Sequence, residues 1–404
     1  MEPYPDLSSR SPLPPFLVPS IILITAATLT LPRSNTVSVT ALLLILAILS
    51  QLPRYTVGAA DYVNGCQAGI ALLRFLALSF CRDPRKECWR VDEIGAGNEQ
   101  TEDPEKLWKK KSTYQRWKWA LPLVLSVREI GYSSQAKNIP TTVPRGYPIW
   151  KYCTIQAFKA LWYFLLYDIC ETSVQHIVRA GFSTILSQAP ERQLYLAWLA
   201  AFKEYFQIAM QYFAASSLTT ALRIYDPQDW PPMFGQWKDA YTVRNFWGRT
   251  YHQMMRTSLT VPSKYITTHI LHLPKNSLIT KYTQLYLVFF LSATFHYMGG
   301  LFAARQELGE YKFFMFQAAV ITFEDFVGWL FAGNSSSSAK SKEPNGGKEG
   351  ESGVPPWRRV LGWFWVMACM SYSLRGWVDG RVRGGEWSGR QMPISIVEKL
   401  WPVK

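Results

Sequence analysis

The 404-residue sequence predicts an all-α protein: a polytopic helical membrane protein with about eight transmembrane helices. Two observations carry this. Long uncharged apolar runs alternate with strongly basic stretches, although mean hydropathy averages only −0.04 over the chain. Several runs also approach the roughly 20 residues that a helix needs to cross a hydrocarbon core of about 30 Å. In lipid such a run must be helical, because its amides find no other partner.

The first two runs, Pro15 to Leu31 and Val37 to Leu52, flank a short hinge with Pro32 and Arg33 and predict a helical hairpin. Met1 to Pro14 carries two acids, one arginine and four prolines, which favours a signal-anchor helix over a cleaved leader. Val57 to Phe80 is interrupted by Asp61 and Arg74; Ile155 to Ile169 and Leu194 to Ala221 follow. Tyr282 to Ala304, Phe313 to Ala332 and Val360 to Leu374 complete the set. The abundance of aromatics, with 17 Trp and 21 Tyr, suits belts at the membrane interface.

A net charge of +14 invites a nucleic-acid reading, but the basic residues concentrate between apolar runs and carry no nucleic-acid motif. The positive-inside rule accounts for them. The stretch Arg82 to Lys151 holds fourteen Lys and Arg and is expected to face the cytosol, as is Arg223 to Lys281. A basic tail around Arg381, Arg383 and Arg390 conflicts with an eight-span count. The expected organisation is N-terminal transmembrane helices (1–81), a basic cytosolic loop (82–151), a catalytic membrane core (152–333), a disordered linker (334–356), and a final helix with its tail (357–404). The sequon at Asn334 would be glycosylated only if the linker faced away from the cytosol. Six cysteines without paired metal spacing predict free thiols, and no metal is expected: His269 and His272 make at most half a site. His176, near Glu171, is expected at the surface.

An ionisable side chain within a membrane helix is a functional candidate by default. His296 is that residue: Ser292, His296 and Gly299/Gly300 form a stripe of small and polar groups on an otherwise bulky helix. Such a stripe faces protein or a cavity. A histidine bonded across a helix pair and a general base both fit, and a base must be neutral. A second constellation runs from Arg244 to Gln253, with Arg256 beyond. Read as a helix, it sets Asn245, Arg249, His252 and Arg256 on one face and Trp247, Tyr251, Met254 and Met255 on the other. It suits an interfacial helix whose arginines meet lipid phosphates, or an active-site wall holding an anionic substrate. Trp230 to Gly235 forms a proline-stiffened approach to it. Glu324 and Asp325 are expected to be paired, with Arg305 as partner.

Together, Trp230-Pro231-Pro232-Met233-Phe234-Gly235, the Phe246-Trp247-Gly248-Arg249 segment with His252-Gln253, and the later His296 resemble the fungal wax-synthase-like branch of the membrane-bound O-acyltransferases. Arg128 to Tyr132, Lys137 to Pro140 and Arg358 to Trp363 are supporting matches. Ala293 and Thr294 stand where that branch often has Ser-Gly, and Tyr251 where a Trp is common. The resemblance implies acetyl transfer from acetyl-CoA to a hydroxyl of a terpenoid or meroterpenoid, in the endoplasmic reticulum membrane. It implies His296 as base, Asn245 and His252 as supporting catalytic groups, and Arg244, Trp247, Arg249 and Arg256 as the acyl-CoA site. The implied partners are a hydrophobic alcohol, acyl-CoA, membrane lipids and other pathway enzymes. A long-chain wax or sterol ester synthase and a non-enzymatic lipid carrier are the competing readings.

Overall fold

The computed structural model describes residues 9–91, 103–140, 142–182, 184–332 and 355–402. The expected linker and its sequon lie almost wholly outside them. Ten principal helices follow one another: α1 Leu17–Thr30, α2 Asn35–Gln51, α3 Asp61–Ser79, α4 Thr113–Leu125, α5 Ile149–Arg179, α6 Pro190–Ala221, α7 Arg256–Tyr265, α8 Leu278–Ala304, α9 Glu310–Ala332 and α10 Pro356–Arg383. Among the described residues the only strands are Ser11–Pro12 and Tyr55–Thr56, which pair in parallel.

Each expected apolar run is a helix, and local chemistry sets the ends. Pro190 and Pro356 occupy the first turns of α6 and α10, where a missing N–H is harmless. Ser277 caps α8 by accepting from the Thr280 amide, and Ser112 and Gln115 form a reciprocal capping box on α4. Among the described residues three helical segments are long and apolar enough to cross a membrane: Asn35–Arg54, Leu278–Ala304 and Glu310–Leu330. The eight spans read from the sequence are therefore not reached on length and composition.

The other long helices carry more charge, and several of those charges are buried against protein. In α3, Asp61 meets Arg10 at 3.4 Å, and Arg74 meets Glu129 at 2.6 Å. Lys203 of α6 is fully buried, 3.2 Å from Glu171 of α5 and 3.7 Å from Glu386. The basic tail is reinterpreted in the same way. Arg381 and Arg383 belong to α10; Arg381 pairs with Glu204 and Glu386, Arg383 with Asp379, and Arg390 with Asp168 and Glu398. Arg381 and Arg390 answer acids distant in sequence, Glu204 and Asp168, and Arg383 answers Asp379 one turn away, so each of the three cations has an acid beside it.

The stretch 82–151 is likewise more than a loop. It contains α4, which packs on α1, and buries Trp108 and Trp119 in a shared apolar cluster. His176 stacks on Trp401 at 4.1 Å instead of standing free at the surface. Helix α5 runs along α6, α6 meets α10, and α8 packs between α3 and α9 with α7 across it.

Candidate active site

The α3/α8 contact positions His296. Glycines let the two backbones meet: a Cβ on Gly65 would lie 2.5 Å from the Met298 carbonyl oxygen, and one on Gly69 would lie 3.0 Å from Phe295. A Cβ on Gly299 would lie 2.7 Å from Cys66 Sγ. The stripe predicted on α8 thus faces protein, with Ser292, Gly299 and Gly300 buried. The His296 ring stacks on Phe314 of α9 at 4.7 Å and meets the edge of Trp377 of α10 at 5.3 Å. Its Nδ1 lies 3.6 Å from Cys66 Sγ. Trp377 Nε1 donates to the Tyr62 hydroxyl at 3.3 Å, tying α10 to α3 beside the histidine.

The segment 244–256 is not the continuous helix its periodicity suggests. A single α-turn, Val243–Asn245, leads into one π-turn, Phe246–Thr250, where the Tyr251 amide reaches the Phe246 carbonyl at 2.7 Å. Tyr251 is then extended, and α7 starts at Arg256. The cause lies upstream. The Gly235 amide donates to the Thr250 carbonyl at 2.9 Å, with the Gly235 Cα so near Arg249 that no side chain fits there. The Gln253 side chain donates from Nε2 to the Trp247 and Tyr251 carbonyls, satisfying groups an unbroken helix would use itself. Single π-turns recur at functional sites. Arg128 fixes the approach by donating to the Pro231 and Pro232 carbonyls, at 3.0 and 2.8 Å, and to the Tyr212 hydroxyl. Asn138 donates to the Gly248 carbonyl at 3.3 Å.

The broken segment and His296 line one cavity of about 1140 Å³. All seven residues singled out from the sequence border it: Arg244, Asn245, Trp247, Arg249, His252, Arg256 and His296. Trp247 and Tyr251, assigned to the opposite face of a helix, border it too, because the π-turn changes the angular spacing. His252 lies outside the long helices; desolvation pushes its imidazole down to about 4, and its Nδ1 is buried without a hydrogen-bond partner. An unpaired buried ring nitrogen bordering a cavity suits a polar ligand atom.

The arginines differ in their partners. Arg244 Nη2 lies 2.6 Å from Asp325, which Lys281 and the Tyr282 hydroxyl also approach. Glu324 accepts from the Val243 and Arg244 amides and from Trp365. Asp325 is ion-paired and Glu324 is hydrogen-bonded, but neither meets Arg305, whose guanidinium donates to the Pro53 carbonyl. Arg256 donates to the Gly248 carbonyl and Gln253. Arg249 is exposed and has no recorded partner among the described residues.

Sequence reasoning missed Tyr62, Cys66, Glu204, Trp377 and Arg381 of this lining. Arg381 lies over the Tyr62 ring at 4.5 Å and over Trp377 at 5.2 Å. One signal was available: Gly65 and Gly69, four apart on α3, are the spacing that brings membrane helices together. Among the described residues no group of three or more His, Cys, Asp or Glu is placed to hold a metal, and all six cysteines are free thiols.

The sequence profile of the membrane bound O-acyl transferase family matches residues 230–316, from the Trp230-Pro231-Pro232 approach through His296 and into α9. The chain is 30% identical over 293 residues to acetyltransferase eriL of Hericium erinaceus, covering 70% of this chain and 72% of that protein. It is 31% identical over 297 residues to acetyltransferase ple2 of Rhodocybe pseudopiperita, covering 72% and 73%. The likeness extends well beyond the profile in both chains, which sets aside the non-enzymatic carrier reading: the protein belongs to the membrane bound O-acyl transferase family and is an acyltransferase.

Proposed function

We propose that the protein transfers an acetyl group from acetyl-CoA to a hydroxyl of a terpenoid or meroterpenoid alcohol, with His296 as general base. The observation that carries this reading is the meeting of His296 and the arginine-bearing segment 244–256 on a single cavity. Relatives named as acetyltransferases support the choice of acyl group.

The chemistry balances without an acyl-enzyme. The acceptor oxygen attacks the thioester carbonyl carbon as its proton passes to the unprotonated nitrogen of His296. The C–S bond then breaks, and the proton goes on to the departing thiolate, giving ester and free CoA. General-base assistance of this kind contributes about 10²–10⁴-fold. Asn245 or His252 donates to the oxyanion, a contribution on the order of 3 kcal/mol. Arg249 and Arg256 take the CoA phosphates, and Trp247 walls the acyl-CoA channel. Arg244 can join them only by leaving Asp325. In the same reading the protein is a multi-pass protein of the endoplasmic reticulum with segment 244–256 on the cytosolic side.

A long-chain ester synthase is the second reading, because a cavity of about 1140 Å³ with mostly apolar walls also has room for a fatty acyl chain. The two are separated by incubating membranes that contain the protein with labelled acetyl-CoA or palmitoyl-CoA and a panel of hydroxylated terpenoids. Label is expected in an ester from acetyl-CoA alone, and none with His296→Ala at equal abundance. Transfer only from palmitoyl-CoA would overturn the choice of donor, and undiminished turnover by His296→Ala would overturn the base.

A further inference from the structure

We propose that Cys66 is the positioning residue of His296, its sulfur accepting the Nδ1 hydrogen so that the nitrogen presented to the substrate is the unprotonated Nε2. The proposal rests on the reading of His296 as general base. Which ring nitrogen of a histidine carries the hydrogen is set by the hydrogen bond that the other makes.

Packing already fixes the plane of this ring, with Phe314 against one face and Trp377 at its edge. Stacking does not choose which nitrogen carries the hydrogen, since the two tautomers have the same ring shape. Cys66 makes that choice. Its Sγ is 3.6 Å from Nδ1, and it is the one hydrogen-bonding partner recorded for the His296 ring among the described residues. The tautomer of the ring sets the direction of this bond, and the proposed direction requires another acceptor for the thiol hydrogen. Sγ is also within 4.0 Å of the His296 carbonyl oxygen, an acceptor only, so the S–H has an outlet there and the sulfur lone pairs are left to accept from Nδ1–H.

The backbone makes room for this arrangement. A Cβ at Gly299 would sit 2.7 Å from the sulfur and 2.7 Å from the Tyr62 carbonyl, so only glycine at this position lets the thiol lie beside the ring. Of the six cysteines, Cys66 alone borders the cavity among the described residues. The other five take no part.

The test is steady-state kinetics on membranes carrying equal amounts of wild type, Cys66→Ala, Cys66→Ser and His296→Ala, with labelled acetyl-CoA and an accepted alcohol. Cys66→Ala is expected to lower kcat by about tenfold or more, a part of the general-base contribution. KM for both substrates should stay within about twofold, because a residue that acts through His296 changes the chemical step more than binding. Cys66→Ser keeps a small group that can accept from Nδ1 and should recover most of kcat, which a merely space-filling role would not require. Wild-type kcat in Cys66→Ala, or Cys66→Ser as impaired as Cys66→Ala, would overturn the proposal. An inactive His296→Ala beside an unimpaired Cys66→Ala would remove this inference alone, whereas an active His296→Ala would remove the base itself.

Discussion

Arg244, Arg249 and Arg256 carry the same charge within thirteen residues of chain and border the same cavity, yet their neighbours give them different capacities. Arg244 is neutralised by Asp325, and Arg256 spends donors on the Gly248 carbonyl and Gln253. Arg249 keeps its guanidinium unengaged. A planar fork of donors without a carboxylate is suited to bidentate phosphate binding. Arg249→Ala is expected to raise KM for acetyl-CoA by about tenfold, equivalent to roughly 1.4 kcal/mol of binding, with kcat changed by less than about twofold. Arg249→Lys should recover part of the loss as a point charge. An unchanged KM in initial-rate measurements would exclude Arg249 from the donor site. All three arginines were candidates from the sequence, but their ranking was hidden, because Asp325 lies 81 residues from Arg244.

At the scale of elements, the informative difference lies in segment 244–256. Helical periodicity set Asn245, Arg249, His252 and Arg256 on one face and Trp247, Tyr251, Met254 and Met255 on the other, whereas all eight border one cavity. The periodic reading assumes an unbroken helix. Gly235 and Gln253 break it by holding Thr250, Trp247 and Tyr251 in a π-turn followed by extended chain. Gly235→Val inserts a side chain where the Arg249 backbone already stands. Overpacking of this kind costs about 1–3 kcal/mol and should be relieved by the turn moving away. The expected outcome is activity reduced tenfold or more at unchanged abundance in the membrane; full activity would show that the turn geometry does not matter. By contrast, the α3/α8 contact was partly legible, since Gly65, Gly69, Gly299 and Gly300 are all apparent as small residues on apolar helices.

Across the whole molecule, a buried ionic cluster joins α5, α6, α10 and the turn that follows it: Glu171, Lys203, Glu204, Arg381 and Glu386. It reaches the cavity through Glu204 and Arg381. Removing one member strands the others. Arg381→Met leaves Glu204 without its cation and Glu386 with Lys203 alone, for an expected loss of about 3–5 kcal/mol and a lower Tm in detergent. Adding Glu204→Gln and Glu386→Gln should restore part of that stability, because the stranded charges are removed too. If the triple variant melts no higher than the single one, the cluster is not a balanced ionic unit. This cluster also explains why α5, α6 and α10 fail a test of length and composition: they are long enough, but they carry charges answered inside the protein.

The sequence by itself determined where the principal helices lie and that α8 carries His296 on a stripe of small and polar groups. Those properties arise from interactions within about four residues along the chain, which the order of residues displays directly. Only the tertiary structure decided that Cys66 meets His296 across 230 residues, that Arg381 answers Glu204 across 177, and that Gly235 breaks the segment bearing the arginines. Each of these depends on a distance in space between parts of the chain whose separation in sequence carries no trace of it.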